Sequence, residues 1–162
     1  ELLLQNAEVE RIALIYSTHA RAVAESEGVQ VPEDSRIEIY ENDNIWVSPA
    51  SGSARWDAMI VVPATMGTIA RIAAGLSQSL IERSADVMLK ERRRLICVVR
   101  ETPYSLIHLR NMTTLTEAGA IILPASPSFY SHPLDIEELA TTVTERVLVH
   151  ADINLPHYEW GE

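Results

Sequence analysis

Short apolar runs recur along the chain, and amphipathic stretches separate them. Runs of this length that are almost wholly apolar are typical of strands buried on both faces of a sheet. They predict strands at Arg11–Ser17, Ala58–Val62 (closed by Pro63), Leu95–Val99 and Ala120–Leu123, with a shorter strand at Arg36–Tyr40. Apolar residues at helical spacing predict helices at Thr18–Glu27, Thr65–Leu76, Ser79–Arg92, Tyr104–Ala118 and Asp135–His150.

Alternating strands and helices of this kind build a parallel sheet covered by helices. The chain has 162 residues, and no linker, repeat or low-complexity segment divides it. It therefore predicts one α/β domain over residues 1–162, with a doubly wound parallel sheet of the Rossmann or flavodoxin-like type and helices on both faces. In such folds ligands bind beyond the carboxyl ends of the strands.

Charge and composition narrow the classes of function. The net charge is −10, which disfavours a nucleic-acid partner. The apolar runs are too short to cross a bilayer, so no membrane partner is expected. The single cysteine, Cys97, lies in an apolar strand, which excludes a disulfide framework and fits the cytoplasm. The five histidines are scattered without the spacing of a metal site.

Two small-residue motifs lie at places where a ligand can approach the backbone. In "PATMGT", Thr65 is predicted as a helix N-cap and Gly67 lies in the first turn, an arrangement that binds anions. The "SPASGS" loop, 48–53, precedes a strand and lets a flat ring come close to the backbone. Taken alone, each motif is more simply read as an ordinary capped helix or a surface turn.

Positive charge is concentrated in one part of this acidic chain. Seven of its thirteen basic residues fall between Arg83 and Arg110, and Lys90 is its only lysine. Arg83 and Lys90 are seven residues apart and share a helix face, with Asp86 between them as a partner for both. A solvated salt-bridge face is the alternative interpretation.

Charged and aromatic side chains follow two further predicted strands. Arg100 can bind phosphate in a forked geometry, and Glu101 beside it can transfer a proton. The alternative is a structural ion pair that caps the next helix. Tyr130 follows a loop rich in proline and serine; its hydroxyl binds phosphate, or its ring is simply packed.

Five segments in order resemble the UbiX-like flavin prenyltransferase family, within the wider flavin-containing decarboxylase-like superfamily. They are "SPASGS", "PATMGTIARIAAG", "LIERSADVMLKERR", "VVRETPYSLIHLRNM" and "PSFYSHP". The resemblance implies an enzyme that joins a dimethylallyl group from dimethylallyl phosphate to N5 and C6 of reduced FMN without a metal. The product, prenylated FMN, would serve UbiD-type decarboxylases.

The resemblance also implies roles for individual residues. Glu101 matches a proton-transfer residue, and Glu27 matches an active-site acid. The positions that match FMN contacts are Ser17, Thr65, Met66, Gly67, Thr68 and Arg100. Those that match the surroundings of the prenyl phosphate are Arg83, Lys90, Tyr130 and Arg146. Trp46 and Trp160 match aromatic residues whose ring faces stabilise an allylic cation.

The family's assembly and its N-terminus give two further expectations. Family members form trimers that build dodecamers, with the active site between subunits. The family begins with a strand and a Gly/Ser-rich turn, which are not seen before "ELLLQ". We therefore expect a further central strand, without which the sheet divides into two half-sheets with unpaired edges.

Two other functions remain open. One is a superfamily decarboxylase that acts on cysteine-derived carboxylates; such members usually carry an asparagine in the loop that reads "SPASGS" here. The other is a paralogue that binds FMN without catalysis. The presence together of Lys90, Arg100, Glu101 and Tyr130 argues against a mere binder.

Overall fold

The structure is a computed structural model and describes residues 1–154. The predicted α/β class is confirmed, since parallel strands alternate with helices along the chain. The strands are β1 Ile12–Ile15, β2 Ile37–Tyr40, β3 Ala58–Ala64, β4 Arg94–Val99 and β5 Ile121–Pro124. The helices are α1 Leu2–Gln5, α2 Ala20–Ser26, α3 Met66–Ala73, α4 Leu80–Lys90, α5 Leu106–Glu117 and α6 Ile136–His150.

The strands form two parallel sheets within the described residues. β1 pairs with β2, and the second sheet has the order β3-β4-β5. The expected additional central strand remains a prediction.

The core is built around β4, whose side chains alternate between two apolar layers. Leu95, Cys97 and Val99 point to one face, where α3, α4 and α5 pack. Ile96 and Val98 point to the other face and pack against α6. The three-stranded sheet is thus covered on both faces, as a doubly wound fold requires.

Four of the described helices follow a cap residue whose hydroxyl or carboxylate side chain accepts the amide three positions on, and all of these caps except Ser105 are predicted helix starts. The caps are Thr65, Ser79, Ser105 and Asp135. The predicted end of α3 at Leu76 is wrong by three residues. Gly75, at φ +69°, reverses the backbone, and Leu76 N–H donates to the Arg71 carbonyl.

Two predicted strand ends also differ from the structure. β1 ends at Ile15, because the Ser17 carbonyl accepts the Ala20 amide in the turn that leads into α2. β3 continues through Pro63 to Ala64, with a shift of register after Val61. Proline has no amide to donate, so the ladder is interrupted there without ending.

Cys97 illustrates how closed the core is. Its side chain is fully buried, and burial raises the pKa of its thiol to about 12. Because the thiolate is the reactive form, we expect the native protein to react with a thiol reagent at pH 8 at least ~10³-fold more slowly than the unfolded chain. Rapid labelling of the folded protein would contradict this packing.

Candidate functional site

The carboxyl ends of β3, β4 and β5 lie side by side. Ala64 is in register with Val99, which is in turn in register with Pro124. The residues that follow these strands therefore share one edge of the sheet. We call this set the carboxyl-edge cluster; its members are Thr65, Met66, Gly67, Thr68, Arg100, Glu101 and Tyr130.

The first turn of α3 presents backbone donors at this edge. The Thr65 hydroxyl oxygen accepts the Thr68 amide at 3.2 Å, so the predicted N-cap is confirmed. The amides of Met66 and Gly67 lie in the first turn, where a helix has no acceptors of its own. The Met66 side chain is buried in the core, so only its backbone faces a ligand. A turn of this form suits a phosphate or a polarised ring oxygen.

Arg100 and Glu101 follow β4, and they do not form the ion pair that was the alternative to a role in catalysis. The Glu101 carboxylate accepts its neighbour's amide, Thr102 N–H, at 3.0 Å. The next helix is capped instead by Ser105, which exchanges hydrogen bonds with His108. The ion pair that would cap α5 is therefore not formed, and the exposed Arg100 side chain is available to an anion.

Tyr130 is not a packed aromatic residue in this chain. Its side chain and that of Phe129 are 70% and 68% exposed. Its amide donates to the Ser128 hydroxyl at 3.4 Å, which shapes the loop after β5. The phenol therefore projects from the carboxyl edge and can contact a ligand or a second subunit.

The two cations of α4 have different partners, so the prediction that Asp86 pairs with both is wrong. Arg83 Nη1 lies 3.0 Å from Asp86 Oδ2. Lys90 pairs instead with the adjacent Glu91, the C-cap residue of α4, while Asp86 is paired with Arg83.

Lys90 and Arg146 lie at the opposite edge of the sheet from Arg100 and Glu101. Lys90 ends α4 just before β4 begins at Arg94, whereas Arg100 follows the other end of β4. At about 3.3 Å per residue, β4 separates these ends by about 16 Å. Arg94 also donates to the carbonyl of His150, the last residue of α6, which places the final turn of that helix at the same amino edge. One chain therefore does not bring the whole predicted phosphate cluster together.

The "SPASGS" loop belongs to this amino edge. It contains two short 3-10 helices, Ser48–Ala50 and Gly52–Ala54. Arg93 Nη2 donates to the Gly52 carbonyl at 2.6 Å, which fastens the loop to the end of α4. A Cβ on Gly52 would lie 3.1 Å from Lys90 Nζ and still closer to Glu91. The loop is thus more than a surface turn, since it packs against the Lys90–Glu91 pair.

Three of the remaining predicted site residues are exposed. Ser17 is exposed after β1, in the other sheet, and Glu27 is exposed at the end of α2. Trp46 is 93% exposed before the "SPASGS" loop. Trp160 lies outside the described residues.

Sequence reasoning missed two residues beside the first turn of α3. Arg71 Nε lies 2.5 Å from the buried carboxylate of Glu82, and Arg71 Nη2 donates to the Thr68 hydroxyl at 3.3 Å. One signal was present in the sequence: Arg71 lies four residues after Gly67 on the same helix, so the two share a face.

Within residues 1–154, no cluster of three or more His, Cys, Asp or Glu side chains is arranged to hold a metal ion. Over the same residues, no helix combines the length and apolar character needed to cross a membrane.

Comparison with known proteins identifies the class. The flavoprotein family description matches residues 1–150. The flavin prenyltransferase UbiX of Thermoplasma acidophilum is 42% identical over 153 residues, which cover 90% of this chain and 82% of that protein. The chain belongs to the flavoprotein family and, within it, to the UbiX flavin prenyltransferases. The resemblance that the five sequence segments indicated is confirmed.

Solved structures agree with this assignment. AnUbiX (PadA1), in complex with FMN and dimethylallyl pyrophosphate, is 39% identical with a TM-score of 0.83, covering 93% of this chain and 83% of that one. A dodecameric FMN-dependent UbiX-like decarboxylase from Escherichia coli O157:H7 is 35% identical with a TM-score of 0.83. That match covers 94% of this chain and 84% of the other.

Proposed function

We propose that this protein is a flavin prenyltransferase that transfers a dimethylallyl group from dimethylallyl phosphate to reduced FMN. The observation that carries the proposal is the carboxyl-edge cluster, in which an anion-binding helix turn lies beside Arg100 and Glu101. Family membership gives the chemistry for which such a cluster is suited. When bound, reduced FMN would supply N5 and C6 as the atoms that accept the prenyl group.

The residues of the first turn of α3 fit FMN. The amides of Met66 and Gly67 are directed to an acceptor, and Gly67 has no side chain to obstruct one. Arg100 adds a forked cation to the same edge. Ser17 is proposed as a further contact from the turn after β1. The complex of AnUbiX with FMN supports this choice of cofactor.

The residues proposed around the prenyl phosphate are Arg83, Lys90, Tyr130 and Arg146. As the carbon–oxygen bond breaks, negative charge collects on the departing phosphate, and fixed cations and a phenol stabilise it. These groups would do so without Mg²⁺. Glu101 would transfer a proton at the phosphate, and Glu27 is proposed as a second acid of the site. The ring faces of Trp46 and Trp160 would stabilise positive charge on the allyl group.

A second copy of the chain would complete this site. Lys90 and Arg146 lie toward the amino edge, and β4 spans about 16 Å between that edge and the carboxyl-edge cluster, so they would act on FMN held by another subunit. We propose a trimer-based dodecamer, which the dodecameric relative from Escherichia coli supports. The exposed Trp46 and Tyr130 side chains would then be covered by neighbouring chains.

Decarboxylation is the competing candidate, because the dodecameric relative is named a decarboxylase. Against it, the loop reads Ser51-Gly52-Ser53, where cysteine-derived carboxylate decarboxylases usually carry an asparagine. A non-catalytic FMN carrier is the other alternative, and it would have no use for Glu101 beside Arg100. We further propose that the prenylated FMN passes to a UbiD-type decarboxylase in the cytoplasm, where a buried free thiol such as Cys97 stays reduced.

Phosphate release tests the proposed reaction. Dimethylallyl phosphate is incubated with the protein and either reduced or oxidised FMN, each with EDTA and with added Mg²⁺. We expect phosphate release that requires reduced FMN and is the same with EDTA as with Mg²⁺. Absence of release would contradict the transferase assignment, and restoration of activity by Mg²⁺ alone would contradict its metal independence.

Gly52→Ala tests the contact between the "SPASGS" loop and Lys90. The new methyl group would displace the flexible end of Glu91 and so break its pair with Lys90. We expect stability to change by less than about 0.5 kcal/mol while KM for dimethylallyl phosphate rises several-fold. Ala54→Ser, which adds one heavy atom two residues along the loop, is the matched control. Equal KM values for the two variants would show that the contact between the loop and Lys90 has no part in binding dimethylallyl phosphate.

A further inference from the structure

Glu82 is a buried carboxylate for which the proposed reaction has no direct use. It is 4% exposed, on the face of α4 that packs toward α3. A buried carboxylate is costly unless its oxygens are hydrogen-bonded. Both are: Oε1 accepts from Arg71 Nε at 2.5 Å, and Oε2 accepts the Gln78 amide at 2.9 Å. Burial raises the pKa of Glu82, but Arg71 and the backbone amides outweigh it and hold that pKa below its usual value, so the group stays charged.

Arg71 connects this carboxylate to the first turn of α3. Its Nη2 donates to the Thr68 hydroxyl oxygen at 3.3 Å. Its Nη1 lies against Gly67, since a Cβ there would be 3.3 Å away. The guanidinium therefore joins a fixed, buried anion to two residues of the proposed FMN turn, which planar forked donors do better than a lysine can.

Hydrogen bonds connect Arg71 with two hydroxyl groups of this turn. The hydroxyls of Thr68 and Thr65 lie 3.0 Å apart, and either can donate to the other; we assign Thr68 as the donor, since its oxygen already accepts from Arg71. Thr65 also accepts the Thr68 amide, which leaves the Thr65 proton to donate outward to a ligand. In this arrangement each hydroxyl accepts a hydrogen bond on the side of Arg71 and donates one on the side of the ligand. Such a series of hydrogen bonds strengthens the last donor.

Besides the Thr65 cap and the buried Met66 side chain, Arg71 is a further support of the turn. α3 is only eight residues long, and Gly67 gives its first turn backbone freedom. Arg71 contacts both Gly67 and Thr68 and is held in turn by a carboxylate on a different helix. The shape of the turn thus depends on the packing of α3 against α4.

We propose that Arg71 and Glu82 are positioning residues for FMN, which fix the first turn of α3 and direct the Thr65 hydroxyl toward the cofactor. This inference rests on the proposed function, in which that turn receives FMN. Neither residue touches the reacting atoms. Their loss should therefore weaken FMN binding and leave the chemical step unchanged once FMN is saturating.

The test measures FMN affinity by flavin fluorescence, together with KM for FMN and kcat, in the full chain. The variants are Arg71→Gln, Arg71→Lys and Glu82→Gln. We expect each to raise Kd and KM for FMN about tenfold, as for a lost hydrogen bond to a charged group, with kcat within about twofold of the wild type. Arg71→Lys should not rescue, since one ammonium cannot reach both Glu82 and Thr68.

Val147→Ala controls for general loss of stability. Val147 is buried on α6, across the sheet from α3, and its truncation should lower the melting temperature without changing the Kd for FMN. If Arg71→Gln fails to fold because it leaves the buried Glu82 carboxylate without its cation, Glu82→Gln still decides the question, because it removes that buried charge and leaves only the Arg71 side chain, which is 45% exposed, without its partner.

The outcomes separate this inference from the proposed function. A wild-type protein that binds FMN while all three variants bind it equally well overturns the positioning role alone. The positioning role is likewise overturned if Val147→Ala weakens FMN binding as much as Arg71→Gln does. A wild-type protein that does not bind FMN overturns the proposed function, and the inference with it.

Discussion

Glu101→Gln is expected to keep FMN binding and to slow prenyl transfer by ~10²–10⁴-fold, the usual cost of losing a general acid or base. Glutamine keeps the size of the side chain and can still accept the Thr102 amide, so the loop after β4 should hold its shape. Single-turnover measurements with saturating reduced FMN and dimethylallyl phosphate would isolate this step.

Arg100→Ala is the informative contrast to Glu101→Gln. Its side chain is exposed at the same edge and has no proposed part in proton transfer. Its loss should therefore raise the Kd for FMN and the KM for dimethylallyl phosphate. If Glu101→Gln turned over at the wild-type rate, the role given to Glu101 would be wrong.

Lys90→Ala is expected to lose ~10²–10³-fold in turnover, because the departing phosphate loses a fixed cation. A more informative result is expected when the Lys90→Ala and Glu101→Gln variants are assembled together. If Lys90 of one subunit serves Glu101 of another, a co-assembled mixture of Lys90→Ala and Glu101→Gln contains sites with both residues intact. Random assembly of equal amounts gives about a quarter of such sites, and so about a quarter of wild-type activity.

The mixing experiment requires proof of co-assembly. Two affinity tags purified in sequence would select assemblies that contain both variants, and native mass spectrometry would give their composition. Mixed assemblies no more active than either variant alone would show that Lys90 and Glu101 of the same chain work together. That result would contradict the about 16 Å separation imposed by β4.

Much of the fold could be predicted from sequence because its apolar runs have one simple explanation. Leu95–Val99 is apolar at every position, and only a strand covered on both faces buries all five side chains. Thr65 was recognisable as a cap because a hydroxyl before an apolar helix has few other uses. The end of α3 was less predictable, since Gly75 decides it through a positive φ.

The site was harder to predict, because spacing along a helix does not reveal which of several nearby acidic residues pairs with a given cation. Lys90 was predicted to pair with Asp86, four residues earlier, but it pairs with Glu91 at the point where the helix ends. Glu82 sits among exposed charges in the sequence, and its burial depends on how α3 packs. The division of the residues proposed to bind phosphate between two edges of the sheet follows from chain direction, which a motif does not record.

The mass of the flavin product tests the central claim most directly. The protein is incubated anaerobically with reduced FMN and dimethylallyl phosphate in the presence of EDTA, and the flavin is released and analysed by mass spectrometry. The account predicts a flavin heavier than FMN by one prenyl unit. The wild type should form it readily, and Glu101→Gln should form much less of it in the same time. Recovery of unmodified FMN alone from a protein shown to bind both compounds would contradict it.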